Sequence, residues 1–159
     1  MTKILFICHG NICRSAAAEM VMKQMAREQH RYDLQIASAA ATREEIGNDV
    51  YPPMKRALAA AGYECEPHAA RQTTRADYSL WDYIIGMDDE NMWDMKQIYG
   101  GDPDKKLSLL LDWAGHPGRE IDDPWYTRDF TGALKQIEEG CSGLMRQIPM
   151  QAGGKRSNP

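Results

Sequence analysis

Residues 3–8 (KILFIC) form a short apolar run that stops at a glycine-containing turn, the pattern of a strand buried on both faces of a parallel sheet. Ala17, Met20, Val21 and Met25 then recur at three-to-four spacing with Glu19, Lys23, Arg27 and Glu28 between them, which predicts an amphipathic helix beginning near Ser15. A second strand is expected over 32–37. Pro52 and Pro53 followed by Met54, Leu58 and Ala61 predict a helix that Gly62 stops. The runs 82–87 (DYIIGM) and 105–111 (KKLSLLL) are the next strands, separated by a helical stretch over 88–98. From Phe130 the set Phe130, Leu134, Ile137, Cys141, Leu144 and Ile148 steps by four and three residues, the clearest helical stripe in the chain, with Thr127 as its expected N-cap.

Strands alternating with helices across short connections predict an α/β fold, a doubly wound parallel sheet of about four strands with right-handed crossovers. A chain of 159 residues suits one domain, expected over 1–150, with the polar, glycine-rich tail 151–159 (QAGGKRSNP) disordered. Composition narrows the classes. With 43% hydrophobic and 26% charged residues the chain reads as an ordinary globular protein. A net charge of -4 without a dense Lys/Arg block lacks the footprint of a nucleic-acid binder. No apolar run is long enough for a bilayer, and residues 4–7 are too short for a signal core, so no membrane partner is expected. Cys8, Cys13, Cys65 and Cys141 are too scattered for a disulfide framework and show no zinc spacing, which suits a reducing, cytoplasmic setting.

Ligands in such sheets sit outside the carboxyl ends of the strands, and Cys8 ends the first one. Five residues separate it from Arg14, so C-H-G-N-I-C-R-S can wrap an anion-binding nest that feeds a helix N-terminus. Gly10 is expected to supply backbone freedom, and Arg14 a planar fork for two oxygens of a phosphoryl group. Such surroundings favour thiolate over thiol, which makes Cys8 a candidate nucleophile. Thiolate attack on a phosphate ester needs a proton donor for the leaving group. Asp123 follows the last predicted strand at the same sheet edge, with Pro124 stiffening it. No metal or cofactor is expected, because arginine, amides and a helix terminus already neutralise phosphoryl charge.

These residues resemble the low-molecular-weight protein tyrosine phosphatase family, whose loop typically reads C-x-G-N-I-C-R-S-P near the N-terminus. The likeness continues through S-A-A at 38–40, E-I-G-N at 45–48, H-x-A-R-Q at 68–72, D-Y-I-I-x-M-D at 82–88 and D-P-W-Y at 123–126. It implies a flavodoxin-like, three-layer fold and hydrolysis of phosphotyrosine and small aryl phosphates through a phosphocysteine on Cys8. Arg14 then binds the phosphoryl group and Asp123 is general acid and base. Residues Cys8, His9, Gly10, Asn11, Ile12, Cys13, Arg14 and Ser15 form the phosphate loop, with Ser38, His68 and Asp88 as support. The implied pocket comprises His9, Ile12, Glu44, Trp125 and Tyr126, and isoleucine at 12 resembles tyrosine rather than arginine phosphatases. Implied partners are a tyrosine-phosphorylated protein and phosphate or another oxyanion, in a monomer or weak dimer. Cys13 is either a core thiol or, as in many relatives, a reversible disulfide partner for Cys8.

Three positions depart from the family pattern. Ala16 replaces the usual proline, His9 an aliphatic residue, and Glu44 a wall position often aromatic; a glutamate there repels an acidic phosphopeptide. Two rivals remain, a thioredoxin-coupled arsenate reductase on the same fold and a phosphate-binding module without turnover. Cys65 and Cys141 supply no cysteine pair near 82–89 for the first, and intact Cys8, Arg14 and Asp123 argue against the second.

Overall fold

The computed structural model describes residues 1–150. Strand β1 (Thr2–Cys8) leads into helix α1 (Arg14–Glu28), then β2 (Leu34–Ala40), α2 (Pro52–Ala60), the short α3 (Asp77–Leu80), β3 (Tyr83–Gly86), α4 (Asp89–Tyr99) and β4 (Leu107–Leu109). A 3-10 helix at Leu110–Ala114, the single turn α5 (Pro124–Thr127) and the long α6 (Phe130–Gln147) follow. All strand pairs are parallel, in the order β2-β1-β3-β4. That is the flavodoxin-like order, in which the chain reverses its direction of winding at β1.

The side chains of β1 divide by parity, as a strand's must. Ile4, Phe6 and Cys8 join one core with Ala17, Met20 and Val21 of α1 and Leu134, Ile137 and Cys141 of α6. Leu5 and Ile7 join the other with Ile84 of β3 and Met95 and Tyr99 of α4. Helices therefore cover both faces of the sheet, which explains the uninterrupted apolar run at residues 4–8.

Several elements differ from the sequence reading. Strand β2 begins at Leu34 rather than residue 32 and runs three residues further, to Ala40. Its small residues Ser38, Ala39 and Ala40 pair with Phe6, Ile7 and Cys8, so the neighbouring strand, not intrinsic preference, extends it. Strand β4 is only Leu107–Leu109; Leu110 and Leu111 turn into the 3-10 helix and bury against α6, where Gly140 leaves room for Leu110 that any Cβ would fill. Thr127 ends α5, and the N-cap of α6 is Asp129, whose side chain accepts from the Gly132 amide. Helix α3 is too short to leave a periodic signal. The expectation for 151–159 lies outside the described residues.

Candidate active site

The loop after β1 carries its one left-handed residue at Asn11, with φ 61°, and not at Gly10. Asparagine tolerates that conformation better than most side chains. Gly10 serves instead as space: a Cβ there would sit 3.1 Å from Glu45 Cγ. Asn11 is fully buried and held from four sides. Its Nδ2 donates to Ser15 Oγ and Ser38 Oγ, both at 2.9 Å, its Oδ1 accepts from the Arg71 amide at 3.3 Å, and its carbonyl accepts from His68 Nε2 at 2.6 Å. Only a protonated Nε2 can donate to a carbonyl, so this bond fixes the His68 tautomer.

The direction of these bonds reaches Cys8. Ser15 Oγ accepts from Asn11, which leaves its single proton for Cys8 Sγ, 3.0 Å away. The Asn11 amide adds a second donor to the sulfur at 3.3 Å. Ser38 passes its own proton outward to the Glu19 carboxylate, so it does not compete for the Asn11 amide as a donor. Two hydrogen-bond donors thus converge on the sulfur.

Beside the sulfur lies the start of α1. This helix has no side-chain cap and no acidic residue in its first turn. Among the described residues, the backbone N–H groups of Gly10, Ile12 and Cys13 likewise donate to no other protein group. An uncapped helix N-terminus next to such amides favours an anion. Arg14 starts the helix with a side chain only 4% exposed. Its Nη2 donates to Asp88 Oδ2 at 2.8 Å, its Nη1 donates to the Ile121 carbonyl at 2.9 Å, and Asp123 Oδ2 stands 3.5 Å from Nη2. Burial opposes the Arg14 charge, but Cys8, Asp88 and Asp123 together outweigh it and raise its pKa above the ordinary arginine value.

Asp123 is the N-cap of α5, its Oδ1 accepting from the Trp125 amide at 3.0 Å. It lines the same cleft as Cys8 and Arg14. The adjacent Asp122 is turned away, its Oδ2 accepting from Gln136 Nε2 on α6. Asp88 both accepts from Arg14 and caps α4.

The cleft has a volume of about 340 Å³, in the range of small-ligand sites. His9, Ile12, Glu44, Trp125 and Tyr126 all line it, together with Cys13, Glu45, Tyr51, Glu90 and Phe130. Tyr51 stacks at 5.9 Å on both Trp125 and Phe130, forming one aromatic wall. Trp125 is 57% and Tyr126 82% exposed, so both present rings to solvent at the mouth. His9 Nε2 lies 3.0 Å from Glu44 Oε2 across the opposite rim. Burial above all, then the nearby Cys8, pushes the Cys13 thiol pKa up, with Arg14 opposing. Cys8, Cys13, Cys65 and Cys141 are all free thiols, and Cys141 is enclosed in the core of α6.

Tyr51, Arg71 and Glu19 were not signalled by the sequence. Arg71 acts through its backbone amide and Tyr51 docks its amide on the Ile12 carbonyl at 2.7 Å, contacts that side-chain identity does not announce. Among the described residues, no group of three or more His, Cys, Asp or Glu side chains is placed to hold a metal ion.

Residues 3–153 match the family model described as low molecular weight phosphotyrosine protein phosphatase. Low molecular weight phosphotyrosine protein phosphatase 1 of Drosophila melanogaster is 34% identical over 149 residues, covering 91% of this chain and 96% of its own. The crystal structure of YfkJ from Bacillus subtilis superimposes with a TM-score of 0.89 at 30% identity, covering 98% of each chain. Vibrio vulnificus Wzb, solved in complex with benzylphosphonate, superimposes with a TM-score of 0.81 at 27% identity, covering 92% of this chain and 99% of its own.

Proposed function

The chain belongs to the low molecular weight phosphotyrosine protein phosphatase family, and from that premise we propose that it hydrolyses phosphotyrosine and small aryl phosphates through a phosphocysteine on Cys8. The Cys8 sulfur attacks phosphorus, an S–P bond forms, and the P–O bond to the phenol breaks. Asp123 gives its proton to the departing phenolate. Water then attacks phosphorus while Asp123 takes one of its protons, the S–P bond breaks, and the thiolate and inorganic phosphate are released. Arg14 and the unengaged loop amides hold the phosphoryl oxygens through both steps. The observation that carries this reading is the order of hydrogen bonds that turns the Ser15 proton onto the Cys8 sulfur.

Trp125, Tyr126 and Tyr51 flank a substrate ring, a placement that suits the aryl group of benzylphosphonate found with the Wzb relative. The His9–Glu44 rim and the adjacent Glu45 and Glu90 favour phosphotyrosines with basic neighbours over acidic ones. Cys13 serves as a redox partner: peroxide oxidises Cys8 to a sulfenic acid, the Cys13 thiol condenses with it, and water leaves as the disulfide forms. Reducing agent then restores more activity to the wild type than to Cys13→Ala.

The test is p-nitrophenyl phosphate hydrolysis by the wild type, Cys8→Ser and Asp123→Ala, beside thioredoxin-coupled arsenate reduction. Wild-type turnover, an inactive Cys8→Ser and no arsenate reduction are expected. Asp123→Ala should lose more rate on an alkyl phosphate, a poorer leaving group, than on p-nitrophenyl phosphate. Equal, undiminished rates on both esters would remove Asp123 from its assigned role.

A further inference from the structure

We propose that Asn91 is a positioning residue that acts through Asp88 to aim the Arg14 guanidinium at the bound phosphoryl group, an inference that rests on the phosphatase reading. Asn91 lies in the first turn of α4 and is 0% exposed. Its Oδ1 reaches back to accept from the Met87 amide at 2.9 Å and the Asp88 amide at 3.3 Å, while its own backbone N–H donates to Asp88 Oδ1 at 2.8 Å. The Asp88 carboxylate is thereby divided, one oxygen held by the helix and the other receiving Arg14 Nη2 at 2.8 Å. With the backbone of Asp88 pinned by the Asn91 side chain and its Oδ1 by the Asn91 backbone, Oδ2 has one place to be. Arg14 is oriented to match it.

A helix cap alone does not account for the amide. Asn91 Nδ2 is buried without a hydrogen-bond partner, which opposes folding. Aspartate at this position offers the same acceptor to the two amides and carries no orphan donor, but it brings a second carboxyl into a fully buried site beside Asp88. A second carboxylate bonded to the Asp88 amide competes with Asp88 for Arg14 and offsets further the positive charge that a phosphoryl group needs. Asparagine fixes the turn and leaves Asp88 as the carboxylate that holds Arg14 from this side.

Inorganic phosphate is the probe, with its affinity measured by titration calorimetry on the full chain and melting temperature followed by circular dichroism. Asn91→Ala should weaken phosphate binding about tenfold, the effect of losing the geometry of one charge-assisted hydrogen bond. Asn91→Asp should keep the wild-type fold by circular dichroism and weaken phosphate about fivefold, a change that a purely structural residue does not produce. In an Asp88→Asn background both effects should shrink below twofold, because the intermediary is gone. Phosphate affinity within twofold of wild type in Asn91→Asp, or effects that add in full to Asp88→Asn, would overturn the proposal. Should Asn91→Ala not fold, the Asn91→Asp and Asp88→Asn cycle decides by the same criteria. Wild-type protein that binds phosphate but does not hydrolyse p-nitrophenyl phosphate overturns the phosphatase reading and leaves this one standing; wild type that binds no phosphate overturns both.

Discussion

At the floor of the cleft, Asn11, Ser15, Ser38, His68 and the Arg71 amide are joined by hydrogen bonds that leave Asn11 and Ser15 no solvent contact. At the rim, His9 meets Glu44 alone, with side chains 43% and 63% exposed, and Tyr126 stands almost free. The floor holds atoms to a fraction of an ångström because each buried polar group there is unfavourable unless paired. The rim is less constrained, since much of the His9–Glu44 pair and of Tyr126 faces water, although His9 Nδ1 is buried there without a partner among the described residues. A chain built this way can change what it recognises through His9, Glu44 or Trp125 without touching how it reacts. That is where His9 and Glu44 depart from the family pattern.

The contrast is open to attack at the floor first. Arg14→Lys should reduce kcat/KM for p-nitrophenyl phosphate about 1000-fold, because an ammonium keeps the charge and loses the planar fork. A loss below tenfold would mean that charge alone suffices. Ser15→Ala should lower kcat about 30-fold with little change in KM, since the bond to the sulfur matters while the thiolate forms and leaves; stopped-flow measurement of the phenol burst separates the two steps.

Behind the floor, Asp77 accepts from Arg71, Thr73 and Trp81 side chains and from the Thr74 amide. Burial raises its pKa, but these bonds outweigh it and hold the carboxyl below its ordinary value. The stability it contributes is present above the ordinary aspartate pKa of about 3.9 and is lost as pH falls through the lowered folded value. Asp77→Asn should cost about 2 kcal/mol near neutral pH and flatten the acid limb of the stability profile, as read by urea melts across pH.

Effects at the rim should be smaller and depend on substrate. Trp125→Ala should reduce kcat/KM for aryl phosphates about fivefold, and much less for phosphate monoesters without a ring. Glu44→Gln should shift the ratio of kcat/KM for lysine-flanked over glutamate-flanked phosphotyrosine peptides about twofold toward the acidic peptide. Salt at about 0.5 M should erase most of that shift. A rim substitution with a floor-sized effect on every substrate would erase the distinction between the two regions.

The reactive loop was the most legible part of the chain because its residues are contiguous and chemically distinctive; Cys8 and Arg14 lie where the strand-turn-helix reading put them. Contacts made between segments were less so. Ser38 reaches Asn11 only because β2 continues through Ala40, an extension written in the apolar residues of β1 rather than in the alanines themselves. The early end of β4 depends on the groove that Gly140 opens on α6, some thirty positions away in the sequence. Gly10 was read as the flexible residue of the loop because glycine usually is, yet the left-handed turn falls on Asn11, where distant partners compensate for it.

Those partners also set when the site comes into being. Cys8, Asn11, Arg14 and Ser15 leave the ribosome before Ser38, His68 and Arg71, to which Asn11 bonds across separations of 27, 57 and 60 positions. Until the segment around 68–71 has been made and has docked beside β2, nothing holds Asn11 left-handed or turns the Ser15 proton toward the sulfur. The arrangement around Cys8 therefore arrives with long-range contacts from later segments rather than with the loop residues themselves.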